Sequence, residues 1–139
     1  MQQPPNTQIQ PGYAIKTIVL IESSFSRLPI IDFQTPIDNH LDLKSEHNVI
    51  DANNQFTLFL TGDLKGKQGD TIVMSLIVKI AALFEKIGEP ELLLETFIAI
   101  NAPAIIFPYL REFISDITRR SGMTQLFIPP MNFTAKKLD

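Results

Sequence analysis

Apolar and polar residues keep one rhythm along this chain up to about residue 84 and another beyond it. Segment 13–25 (YAIKTIVLIESSF) is dense in β-branched side chains, holds Glu22 as its single acid, and predicts a strand. Segment 26–40 contains Pro29 and Pro36 and shows no period, so it reads as an irregular crossover. It nevertheless holds Leu28, Ile30, Ile31 and Phe33, an unusual apolar load for a connection lying on water. A weaker strand is predicted over 41–50, followed by turn chemistry at 51–54 (DANN). Over 55–64, Phe56, Leu58, Leu60 and Leu64 share one face, Thr57, Thr61 and Asp63 share the other, and Phe59 is the exception. A tight charged turn is expected at 65–70 (KGKQGD). Over 71–84, Ile72, Met74, Leu76, Val78, Ile80, Ala82 and Phe84 line one face. The opposite face is only partly polar, as in a sheet with something to cover on both sides.

After 85–90 (EKIGEP) the period becomes helical. Segment 91–100 fits a short helix, and Asn101 offers an N-cap for a second one with Pro103 in its first turn. Ile105, Ile106, Tyr109, Leu110, Phe113, Ile114 and Ile117 then form a wide apolar stripe. Pro108 lies inside this stripe and removes a helical hydrogen bond, so a bend is expected there. Arg119 and Arg120 suit the negative end of the helix dipole, and Gly122 suits the position that ends it. Strands followed by helices define an α+β fold: a four-stranded antiparallel sheet with a long helix packed on one face.

Composition narrows the function classes. The chain has 139 residues, enough for one core, with residues 1–12 read as a flexible Pro- and Gln-rich tail and 13–139 as a single domain. The net charge is -3, and Arg119-Arg120 and Lys136-Lys137 are the only tight basic groups, which argues against nucleic acid. Absence of cysteine removes disulfide and thiolate chemistry. The N-terminal segment lacks the basic and apolar regions of a signal peptide, and the best apolar run, 71–84, is cut by Ser75 and Lys79. No membrane insertion is expected, and a cytoplasmic location is.

Candidate chemistry is thin. His40 and His47 stand at odd spacing on one predicted strand, hence on opposite faces, and do not form a metal site. Glu22, Asp32 and Asp38 lie on different elements without a supporting histidine. Ser23-Ser24 lacks a nucleophile-elbow setting, and GDLKGKQGD lacks P-loop spacing. No catalytic residue, metal or cofactor is therefore expected. What remains is the apolar surplus of the crossover 28–33 and of the segment 126–133, which either packs at home, forms an oligomer interface, or walls a groove for apolar peptide.

The order of residues favours the groove. Pro103, then Phe107-Pro108-Tyr109-Leu110-Arg111-Glu112, then Gly122, then Gln125-Leu126, Pro130 and Met131-Asn132-Phe133, resembles the helix and proline-rich segment of the SecB family of protein-export chaperones. Tyr13, Ile15 and Ile18, Leu41-Asp42-Leu43, and Val78 to Phe84 are similar to that family's first, second and fourth strands. The resemblance implies a holdase for unfolded polypeptides that uses no ATP. It implies a client groove walled by Leu28, Ile31, Phe33, Phe84, Tyr109, Leu126, Phe127, Met131 and Phe133. It also implies a homotetramer of paired dimers joined through the long helix, at Phe107, Leu110, Phe113, Ile114 and Ile117. The family's sheet docks the translocation ATPase SecA through acidic residues. Here Glu22 keeps one acid, while Ser26 and Ile77 stand where others would be, and Ala81-Ala82 replace paired glycines. The family pattern continues past Asn-Phe into a second helix and acidic tail, whereas this sequence reads TAKKLD, so one groove wall is expected to be shortened. These departures leave a second expectation open: a dedicated adaptor for one partner, such as an antitoxin.

Overall fold

Each of the four expected strands forms, and each runs past the end of its apolar pattern. The computed structural model describes residues 12–51, 54–88, 93–123 and 128. The strands are β1 (Tyr13–Arg27), β2 (Asp38–Asp51), β3 (Gln55–Gln68) and β4 (Thr71–Lys86). They pair antiparallel in the order β1-β4-β3-β2. Apart from Gly12, the expected tail lies outside the described residues. Gly12 is buried and its carbonyl accepts the Ile87 N–H at 2.7 Å. The hairpin turn is shorter than the expected 65–70: β3 continues to Gln68, and Gly69 (φ 62°) makes the left-handed turn beside Asp70.

Alternation decides the buried face of β3. Phe56, Leu58, Leu60 and Leu64 are almost completely buried, as expected. On β4 the expectation for Ile72 is overturned. The register shifts between Gly66, opposite Met74, and Lys67, opposite Ile72, so Val73 is an extra residue in the ladder. This bulge buries Val73 and Met74 together and leaves Ile72 exposed.

The two expected helices are one. Leu94–Arg120 runs as 27 continuous helical residues: α1 (Leu94–Thr96), a π-helical turn at Phe97–Asn101, and α2 (Ala102–Arg120). Asn101 has helical backbone angles and makes no side-chain cap. The wide turn stands where a cap was expected, and the Ala102 N–H reaches back to the Phe97 carbonyl. Pro103 and Pro108 have no N–H to donate to the preceding turn, where Ala99 and Ala104 stand four residues back. Both alanines are on the exposed side of the helix, where a missing backbone bond costs less than the roughly 3 kcal/mol of a buried interior proline. This helix is long and apolar enough to meet a membrane-span criterion, with a mean hydropathy of 1.3 over its best window. Its apolar stripe is nevertheless committed to the sheet.

Ile106, Phe107, Leu110 and Ile114 are buried, and Phe113 and Ile117 pack against the same core. The helix lies close to the sheet at Gly62 on β3, where an added Cβ would stand 3.1 Å from Leu110 Cδ2. A side chain there would oblige the Leu110 side chain to give way by a few tenths of an ångström. At the start of the helix, Phe97 enters an aromatic cluster with Tyr13, Phe56 and Phe84, its ring centroids 4.9–5.9 Å from the three others. Among the described residues only the helix side of the sheet is covered.

Candidate peptide-binding site

The crossover between β1 and β2 carries the chain from one edge of the sheet to the other. Its apolar residues divide between core and solvent. Ile31 and Ile37 pack against the core, whereas Ile30 is 88% exposed and Phe33 51% exposed. Leu28 is also exposed. Leaving one such side chain in water forgoes about 1.5–3 kcal/mol of burial. The segment is held in shape all the same. The Leu28 N–H donates to the Val73 carbonyl at 2.9 Å. Asp32 accepts from the Gln34 N–H at 3.0 Å and from the Thr35 hydroxyl at 3.1 Å. Gln68 Nε2 donates to the Asp32 carbonyl at 2.9 Å and to the Thr35 carbonyl at 3.0 Å, fastening the loop to the end of β3.

Beneath this strap lies a hollow of about 230 Å³, lined by Phe33, Ile37, Asn39, Met74, Thr118 and Met123 among others. Two methionines and a phenylalanine give it a deformable apolar wall. The one buried polar side chain, Thr118, satisfies itself by donating to the Ile114 carbonyl at 3.0 Å. Thr35 and Asn39 add polar groups to the lining, so the hollow offers an occupant both apolar and hydrogen-bonding contacts. A second hollow, about 560 Å³, opens between β2 and the start of the helix, with Ser45, His47, Val49, Leu94, Glu95 and Ile98 on its walls.

The expected site residues distribute unevenly. Leu28, Ile31 and Phe33 do come together at the crossover. Phe84 does not belong with them: it is fully buried, its ring stacked 5.0 Å from Phe56, because β4 is the central strand on the helix side. Tyr109 is 49% exposed on the outer face of α2, beside exposed Ile105 and Pro108, and away from the crossover hollow. Of the expected oligomer contacts, Phe107, Leu110 and Ile114 are spent in the chain's own core; the helix turns Ile105 and Tyr109 outward instead. Leu126, Phe127, Met131 and Phe133 lie outside the described residues, as do Gln125, Pro130 and Asn132. Ile128 is described and buried, its carbonyl accepting from Arg111 Nη1 at 3.5 Å.

Pattern reasoning passed over two features. Val19, Leu20 and Ile21 form a half-exposed apolar run on the edge strand β1. Val19 faces the open side opposite Ala81, Leu20 faces the helix side opposite Ile80, and the register slips at Ile21. Three consecutive apolar residues in a strand break alternation, and that break was the available signal. Arg27 is the other: its guanidinium lies 5.7 Å from the Phe33 ring centroid and bonds to three backbone carbonyls. Nothing in the spacing marked it.

The uncovered face of the sheet is charged in both signs. Glu22 is exposed and stands opposite Lys79. Ser24 faces Ile77 and Ser26 faces Ser75 in the neighbouring rows. Asp63 pairs with Lys65 at 2.6 Å and His40 with Asp42 at 3.1 Å, while Lys79 lies over the Phe59 ring at 5.1 Å. His47 lies on the other face, opposite Leu58, so the two histidines are separated by the sheet. Among the described residues no group of three or more metal-ligating side chains gathers. At the helix end, hydrogen bonds from Arg120 and Arg119 hold the Asp116 carboxyl below its ordinary range.

A four-stranded antiparallel sheet with one covering helix, and an exposed apolar strap over a hollow at one corner, define an α+β module. A family model described as "Preprotein translocase subunit SecB" matches residues 2–136, and the chain belongs to the SecB family. Protein-export protein SecB of Hyphomonas neptunium is 32% identical over 107 residues, spanning 77% of this chain and 64% of that relative. The SecB of Ruegeria pomeroyi is 27% identical over 135 residues, spanning 96% of this chain and 82% of the relative. Among solved structures, the SecB-like chaperone Rv1957 of Mycobacterium tuberculosis, in complex with a ChAD peptide from the Rv1956 HigA1 antitoxin, matches with a TM-score of 0.74. That match is 20% identical and spans 86% of this chain and 91% of the other, and it identifies the same fold.

Proposed function

We propose that this SecB-family chain is an ATP-independent holdase that binds unfolded polypeptides through apolar contacts, without catalysis, in the cytoplasm. The observation that supports this best is the crossover: Leu28, Ile30 and Phe33 stay in water on a loop fixed by at least five hydrogen bonds. Preorganised apolar surface that is not used for folding is surface kept for an occupant. The hollow beneath Phe33, with Met74 and Met123 on its walls, gives an adaptable surface that suits clients of many sequences. The groove we assign comprises Leu28, Ile31 and Phe33, extended by Leu126, Phe127, Met131 and Phe133.

Assembly as a homotetramer fits two further surfaces. The apolar edge at Val19–Leu20–Ile21 suits pairing with a second copy, and the outward Ile105 and Tyr109 suit a contact between dimers. Glu22 is the acid we assign to docking SecA. With Lys79 opposite it and serines in the next rows, such docking is expected to be weak.

That weakness favours a second reading, a dedicated adaptor for one partner. The structural neighbour holds an antitoxin peptide, and a partner of that kind is one candidate here. One experiment separates the two. A chemically unfolded, unrelated protein is diluted into nucleotide-free buffer with and without this chain, and light scattering is followed. Suppression at about one tetramer per client supports the general holdase. Undiminished aggregation beside a folded, soluble sample leaves only the single-partner reading.

A further inference from the structure

We propose that Arg27 is a positioning residue for client binding, which sets the place of Phe33 and joins the two walls of the crossover hollow. The proposal rests on the holdase reading above. Arg27 is the last residue of β1, at the root of the crossover. Its Nε donates to the Leu28 carbonyl at 2.8 Å and its Nη2 to the Pro29 carbonyl at 3.4 Å, so one edge of the fork grips the start of the strap. Its Nη1 turns the other way and donates to the Ser121 carbonyl at 2.8 Å, at the end of α2. The guanidinium plane also lies near the Phe33 ring, 5.7 Å from its centroid.

These contacts tie together segments 94 residues apart in sequence. On one side is the crossover with Phe33; on the other is the helix end that leads into Met123, and Phe33 and Met123 both line the hollow. The helix terminus lies against the arginine. Gly122 is in the left-handed region (φ 78°), and a Cβ there would stand 3.6 Å from Arg27 Nη1. A carbonyl at a helix C-terminus carries partial negative charge and prefers a cationic donor. Few other side chains place planar donors in opposed directions while offering a face to an aromatic ring; lysine, with one compact ammonium, cannot hold both carbonyls at once.

A purely structural staple would cost stability alone. Positioning predicts that the effect on binding passes through Phe33, and a double-mutant cycle reads this directly. The probe is a permanently unfolded, carboxymethylated protein labelled with fluorescein, titrated with the full chain. Arg27→Met and Arg27→Lys are each expected to weaken binding about tenfold, mostly through faster release. In a Phe33→Ala chain the same substitutions are expected to cost less than about twofold more, since their target is gone. Their effect on melting temperature should persist in that background. Wild-type affinity in Arg27→Lys, or an undiminished loss in the Phe33→Ala chain, overturns the positioning role while leaving the holdase reading intact. Failure of the wild-type chain to bind the probe removes both.

Discussion

The two edge strands of this sheet are of nearly equal length and opposite character. β1 shows three adjoining apolar side chains, Val19, Leu20 and Ile21, on an edge with no strand partner among the described residues. β2, at the other edge, carries His40, Asp42, Lys44 and Glu46 along its open side, with a side-chain hydrogen bond at His40–Asp42 and an ion pair at Lys44–Glu46. A bare apolar edge is a template for another strand, and charges are a common means of refusing one. Under the assembly proposed above, β1 is the edge open to a second copy of the chain and β2 the edge that resists one.

The largest effect should come from breaking the apolar edge. Val19→Asp combined with Ile21→Asp places like charges along any antiparallel self-pairing of β1. Dissociation of the assembly is expected to rise about 100-fold or more. Light scattering on a sizing column would show a single-chain mass at micromolar concentration. The matched pair on β2, Ser45→Asp with Asn48→Asp, should leave the mass unchanged. Equal masses for both variants would remove the functional distinction between the edges.

A smaller effect should follow from disarming the charged edge. Lys44→Val with Glu46→Val turns the middle of β2 into a β-branched strand without guards. Growth beyond the wild-type assembly is expected to begin at about tenfold lower concentration, read as static scattering against concentration. No added growth would mean that something other than charge protects β2, for instance the adjoining helix start around Leu94 and Ile98.

The same contrast explains what could be read before the structure. Period-2 alternation placed Phe56, Leu58, Leu60 and Leu64 correctly because one covered face of a central strand dictates every second residue. The edge strands obey weaker rules. On β1 both sides of the sheet are partly exposed, so Val19, Leu20 and Ile21 follow no single face. The bulge at Val73 was invisible, since one inserted residue leaves composition unchanged and moves only Ile72. Asn101 misled for a related reason: it has the chemistry of a cap, but the π turn already accommodates Pro103. At the site, Leu28 and Phe33 stood out as apolar residues in a proline-broken loop. Arg27 did not, because its role depends on contact with Ser121, far away in sequence. The groove assignment of Phe84 comes from resemblance, whereas alternation on β4 already puts it on the buried face; Tyr109 lies at the exposed border of the helix stripe, which spacing alone does not assign.

The smallest expected effect tests whether charge on this molecule serves refusal or stability. Asp116 lies on α2, on neither edge, and accepts hydrogen bonds from Arg120 and Arg119, which hold its pKa below the usual 3.8. A carboxyl depressed in the folded state contributes its stability fully above the unfolded pKa and loses it as pH falls through the lower, folded value. The wild-type chain should therefore melt slightly higher than Asp116→Asn at pH 7. The difference should shrink only below about pH 4 and vanish once both states are protonated. The group is exposed and screened, so the gap at pH 7 is expected to be small and to narrow further in high salt. Removing the Lys44 and Glu46 charges should shift melting no more than this while still changing association. A melting loss from β2 larger than that from Asp116 would mean that the β2 charges hold the strand in place, and the argument that they are there to refuse a partner would fail.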